Sequence, residues 1–120
     1  MALNIEPAVA MVPASGGVSN HAFTNLGEQR LVFKVKSTNN VNYRVKPVYG
    51  FVEPQASTEF EIKRTDGPPK KDKFVVQFAA ASPEENDPTN AFKSTYSLGK
   101  INLPVSAVVA VVEQPVAAEE

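Results

Sequence analysis

The stretch Arg30–Ile62, RLVFKVKSTNNVNYRVKPVYGFVEPQASTEFEI, decides the fold. Leu31, Phe33 and Val35 alternate with Val32, Lys34 and Lys36, a period of two that sets three apolar side chains on one face and the lysines on the other. That is the pattern of a half-buried β-strand. Asn39 and Asn40 supply a turn, because asparagine tolerates the left-handed region and bonds its own backbone. A second strand runs from Tyr43 to Val45 and stops at Pro47, which withholds a backbone donor. Gly50 is expected to permit a reversal into Phe51 and Val52. After a turn at Glu53 and Pro54, Thr58, Phe60 and Ile62 resume the alternation. Strand follows strand with no room for a helix.

Working outward, Leu3, Ile5 and Pro7 open the chain as an edge strand, with Met11–Pro13 as a second short piece of that same edge. Val18–Thr24 interleaves polar and apolar residues before a turn at Asn25–Gly27. Arg64–Pro69, with Asp66, Gly67, Pro68 and Pro69, has the composition of a solvated loop. Lys73–Phe78 is the next clear strand, its Phe74, Val76 and Phe78 facing the core. The polar segment Ala79–Tyr96 is either a mobile loop or holds one helical turn near Asn90–Lys93. From Ile101, alternation through Leu103, Val105, Ala107, Val109 and Val111 marks a long final strand, in which Pro104 points to a sheet edge or a bulge. The core should contain Leu31, Phe33, Val35, Phe60, Phe74, Val76, Phe78, Leu103 and Val105. One domain over residues 1–113 and a short flexible tail over 114–120, with Pro115 and two terminal glutamates, complete the expected organisation.

At 120 residues and 42% hydrophobic content, the chain suffices for one core and not for two. Ten prolines and six glycines scattered among short alternating runs fit an all-β sandwich. Without cysteine there are neither disulfides nor thiolate metal sites, which suits a reducing compartment. The N-terminus MALNIEPAVAMVPASGG lacks the basic and apolar segments of a signal peptide, and no run approaches the roughly 20 apolar residues of a membrane helix. A soluble cytoplasmic protein, not inserted in a membrane, is therefore expected. A net charge of −1 offers nucleic acid no global attraction.

Catalytic chemistry is scarcely represented. His21 is the only histidine and has no thiol to work with, so it reads as structural or solvated rather than as a base. Glu84, Glu85 and Asp87 could offer oxygen ligands to calcium, but their spacing matches no EF-hand and reads as a solvated acidic loop. No cofactor is implied. The cations are better organised: Arg30, Lys34, Lys36, Arg44 and Lys46 fall in a span, Gln29–Val52, free of acidic residues, with Lys70, Lys71 and Lys73 further on. Such segregation either steers an acidic partner or simply solvates a sheet face and guards its edges.

The runs Phe33–Thr38, Tyr43–Pro47 and Gly50–Pro54 resemble the core signature of the major sperm protein (MSP) domain, and the likeness extends from Leu3–Pro7 to Lys73–Phe78. The short chain and the VPASGG segment at Val12–Gly17 are most similar to the small sperm-specific class P proteins of nematodes. This resemblance implies an immunoglobulin-like seven-stranded sandwich with a cis bond before Pro47. It also implies a non-enzymatic structural or interaction protein of sperm cytoplasm, cytoskeleton-associated through self-association as a weak homodimer. The alternative it implies is an adaptor for acidic peptides, since VAP-type members grip FFAT motifs with a lysine and two threonines, matched here by Lys36, Ser37 and Thr38. Lys46 matches a basic residue before the proline, and Lys73 and Val75 match positions on the sixth strand. Val75 stands where that pattern has methionine, giving a shallower and less adaptable floor.

Overall fold

The computed structural model describes residues 3–109, which fold as two packed sheets and one short helix. In chain order the elements are β1 (Leu3–Glu6), β2 (Ala10–Pro13), β3 (Gly17–Asn25), β4 (Leu31–Ser37), β5 (Tyr43–Lys46), β6 (Tyr49–Val52), β7 (Ser57–Arg64), β8 (Lys70–Ala80), α1 (Pro88–Lys93) and β9 (Ser97–Val108). One sheet has the order β1-β3-β7-β5 and the other β2-β9-β8-β4-β6. The nine segments make seven strands, because β1–β2 and β5–β6 are each one strand that leaves the first sheet and enters the second. Both crossovers carry a cis X-Pro bond, at Glu6–Pro7 and at Lys46–Pro47. The second was expected and the first was not.

The alternating apolar residues meet between the sheets. All nine expected core residues are buried, Phe74 at 0% and Phe78 at 3% exposure, so the register read from alternation holds. Phe23 joins them, 4.4 Å from Phe33 and 4.3 Å from Phe60 between ring centroids. Burial of these rings should stabilise the fold substantially, since each aromatic removes on the order of 150 Å² or more from water. A smaller cluster of Val32, Ala79, Ala81 and Ala91, with Phe51 and Phe92 against it, seats α1 on the outside of the second sheet. The helix resolves the choice left open over Ala79–Tyr96: Asp87 caps it by accepting from the Thr89 N–H, and Pro88 opens its first turn.

Several expectations are corrected. Met11–Pro13 does not extend the first edge: β2 lies in the other sheet, parallel to β9, with Ala10 opposite Val105. Gly50 marks no reversal, because the chain runs on from β5 into β6 through the crossover at Pro47–Val48. It sits within β6 opposite Phe33, where a Cβ would come within 2.6 Å of the Phe33 ring, so glycine is there to admit an aromatic. Pro104 does stand at a sheet edge, since β2 joins β9 only from Val105 onward, while the alternative of a bulge there is not met, the irregularity between β8 and β9 falling at Phe78/Ala79. Arg64 belongs to no solvated loop. It ends β7, buried, with Nε donating to the Ala14 carbonyl at 3.1 Å and Nη2 to that of Pro68 at 2.7 Å. The final strand ends at Val108, so Val109, 69% exposed, does not continue the alternation as expected, and Val111 and the tail 114–120 lie outside the described residues.

Candidate protein-interaction site

Side chains alternate across a strand, so the residues of the second sheet that do not enter the core form an outward face. Register sets them in rows. Lys34 stands opposite Gln77, which stands opposite Lys100; Lys36 opposite Val75, then Asn102; Lys73 opposite Pro104; and Lys71 opposite Ser106, beside Met11 of β2. Five lysines thus share one face. Among the described residues, no aspartate or glutamate occupies an outward strand position of that sheet.

Of the six residues proposed from sequence, the fold brings four together. Lys36, Thr38 and Lys73 are exposed at one end of this face, around the half-buried Val75. Thr38 is tied to β8, its N–H donating to the Lys73 carbonyl at 3.1 Å and its hydroxyl to Asp72 and to that same carbonyl. Ser37 points the other way, opposite Phe74, and closes a turn with Asn39 through its hydroxyl. Lys46 belongs to the other sheet, opposite Glu61 of β7, because the chain changes sheets only after it. A single patch of all six residues is therefore not what the fold assembles.

Two other arginines of the basic span are committed internally. Arg30 lies 3.7 Å above the Phe51 ring, pairs with Glu53 at 2.8 Å, and donates to the carbonyls of Ser82 and Glu85, pinning the loop before α1. Arg44 donates to the carbonyls of Asn40 and Tyr43. The partners of Arg30 are distant in sequence, and nothing beside it in the chain announces its role, whereas those of Arg44 lie within four residues of it.

Between the open edges of β4 and β5 the sandwich parts into a cleft of about 510 Å³, walled by Val35, Tyr43, Val45, Val48 and Phe74, with Lys36 and Arg44 among its polar lining. His21 is structural: buried against Phe60, it bonds the Ser19 hydroxyl at 2.7 Å and donates from Nδ1 to the Pro7 carbonyl at 2.8 Å. The acidic loop carboxylates serve as local acceptors, Glu84 for Ser82, Glu85 for Asn90 and the Asp87 N–H, and Asp87 for Thr89. No described helix is long and apolar enough to cross a membrane.

A sandwich of seven strands, two of which change sheets, with one lysine-faced sheet among the described residues, defines a class of structural β-domains, and comparison identifies which. The MSP (major sperm protein) domain family model matches residues 2–100, and the chain belongs to that family. It is a non-enzymatic family of structural sperm proteins, and this chain is not an enzyme. Sperm-specific class P protein 34 of Caenorhabditis elegans is 46% identical over 82% of this chain and 92% of its own length. Sperm-specific class P protein 16 of the same organism is 45% identical over 89% of this chain and 98% of its own. The solved structure of SSP-19, an MSP-domain family member of C. elegans, superposes with a TM-score of 0.85 at 43% identity, covering 89% of this chain and 99% of that one. The YadV chaperone, at 10% identity and a TM-score of 0.71, shares the fold alone.

Proposed function

We propose that this chain is a non-enzymatic building and interaction protein of nematode sperm cytoplasm, working through weak self-association of its single domain, residues 1–113, and associated with the sperm cytoskeleton. The observation that carries this reading is the set of sperm-specific relatives spanning nearly their whole length. Open sheet edges support it. β2 ends the five-stranded sheet and carries Val9 just before it and Met11 within it, 60% and 71% exposed, an apolar edge a second copy can cover. A credible dimer buries roughly 1,000 Å² in total. Sedimentation equilibrium from low to high micromolar concentration tests it: the weight-average mass should rise toward a dimer, and a constant monomer mass would count against the reading.

The second reading, an adaptor for acidic FFAT-like peptides, draws support from the register that sets Lys36 beside Val75 and Lys73 next along the same strand. Binding there leans on charge and should weaken with salt over a screening length of about 8 to 10 Å. Titrating the labelled protein with such a peptide at low salt should shift the amides around Lys36, Lys73 and Val75. Unmoved signals at millimolar peptide would remove this reading.

A further inference from the structure

The cleft between the sheets has a feature that neither reading uses. β5 is the last strand of its sheet, so one flank has no neighbouring strand. The Asn42 carbonyl accepts from the Thr65 N–H at 2.8 Å on the β7 side. By the alternation of an antiparallel ladder, Arg44 also faces β7, and the N–H and C=O groups of Tyr43 and Val45 face the open flank. Across the cleft, β6 pairs with Leu31–Lys34, and the Val35 N–H reaches the Val48 carbonyl at 2.9 Å. Among the described residues, no strand continues that flank of β4 past this point. Two open strand edges thus border an apolar floor of Val35, Val45, Val48 and Phe74, and no carboxylate lines it.

Arg44 occupies the edge that would be used. Its Nη1 donates to the Asn40 carbonyl and, at 2.9 Å, to the Tyr43 carbonyl, so an exposed cation covers one of the acceptors an added strand needs. A guanidinium exchanges neutral carbonyls for a carboxylate readily, because the charge-assisted, bidentate pair is roughly twice as strong as a neutral bond.

We propose that the open edge of β5 is a strand-addition site for an extended acidic peptide segment, gated by Arg44. A carboxylate on the segment draws the guanidinium off the Tyr43 carbonyl and thereby frees that group for a segment N–H. Side chains on either side of the carboxylate point the opposite way, onto the apolar floor. The segment recognised is therefore one aspartate or glutamate flanked by small apolar residues in extended conformation. This surface is separate from the lysine face of the second sheet and does not depend on it.

The test uses the full chain and two capped heptapeptides of alternating valine and threonine, one with a central aspartate and one with asparagine there. With the native protein, the aspartate peptide should shift and protect the Tyr43 and Val45 amides and bind about tenfold more tightly than the asparagine peptide, the worth of one charged hydrogen bond. In Arg44→Ala the edge is uncovered, so the preference for aspartate should vanish while the asparagine peptide gains affinity. Lys73→Glu, on the lysine face, should leave the tenfold preference in place, which separates this site from peptide binding there. An aspartate preference that survives in Arg44→Ala, shifts confined to Lys73 and Val75, or no shift at Tyr43 and Val45 at millimolar peptide would each overturn the proposal. Protection of Val45 that appears only together with peptide-induced dimerisation would also overturn it, assigning the edge to a second copy instead.

Discussion

The two sheets turn different outer faces to solvent. On the four-stranded sheet the outward charges are mixed, Glu6, Glu59 and Glu61 against Arg44, Lys46 and Lys63, and register sets Lys46 directly opposite Glu61. On the five-stranded sheet Lys34, Lys36, Lys71, Lys73 and Lys100 meet no outward carboxylate on any strand among the described residues. Both faces solvate an antiparallel sheet equally well, so solubility does not account for the contrast. Mixed cross-strand charges neutralise one another locally and stabilise the sheet by a few tenths of a kcal/mol per pair. Like charges in adjacent rows give up that gain and leave a field that reaches a Debye length into solvent. The first face neutralises its charges within the sheet, and the second leaves its lysines turned to solvent, as the proposed peptide reading requires.

The largest effect tests the inner layer that holds both faces in place. Phe74 backs Val75 and Lys73 on β8 and meets Tyr43 of the opposite sheet edge-on, 5.5 Å between centroids. Phe74→Ala should cost roughly 3 to 5 kcal/mol in chemical denaturation and damage both faces together. A loss below about 1 kcal/mol would mean that the sheets are not locked through this ring. Arg64 comes next. Its guanidinium ties the turn after β2 to the loop before β8 and lies 5.1 Å from the Tyr43 ring. Arg64→Leu should cost about 2 kcal/mol by stranding two carbonyls, with the outward lysines and their peptide affinity unchanged. Loss of affinity along with stability would show that the two layers are coupled.

Alternation made the inner layer legible, because a period of two states which side chains share a face before any partner is known. That is why Leu31, Phe33, Val35, Phe74, Val76 and Phe78 were all placed in the core from sequence. It also placed Lys34 and Lys36 on one face. What it could not supply is which sheet a strand joins. Ala10–Pro13 alternates as well in the second sheet as it would have done in the first. Long-range polar ties were equally silent, since Arg64 beside Asp66 and Gly67 looks like loop until Ala14, fifty positions earlier, is found against it. The candidate site was therefore partly legible: alternation set Lys36 on one outward face and Lys73 with Val75 on another, while Thr38 and the pairing of the two strands came from resemblance. Ser37 and Lys46 were carried by resemblance, and the fold turns them elsewhere.

Lys46 gives the smallest expected effect and the sharpest test of the contrast between faces. It was grouped with Lys36 and Lys73 because all three are cations near matched motif positions, yet it precedes the crossover and so lies on the mixed face, opposite Glu61. If a partner reads the five-stranded face as a local array, Lys46→Ala removes a charge whose nearest outward neighbour in register is a carboxylate. Its field at the other face is then screened by ions, and affinity for an acidic peptide should change by less than about twofold. Lys36→Glu with Lys73→Glu should abolish that affinity while shifting stability by no more than about 0.5 kcal/mol, both side chains being exposed. Lys46→Ala and a single Lys36→Ala change the net charge equally, so measuring those two against one peptide at one low salt concentration compares faces rather than charges. Equal losses from Lys46→Ala and from a single Lys36→Ala would mean that the peptide senses the net charge of the molecule, and the distinction between the faces would then carry no functional weight.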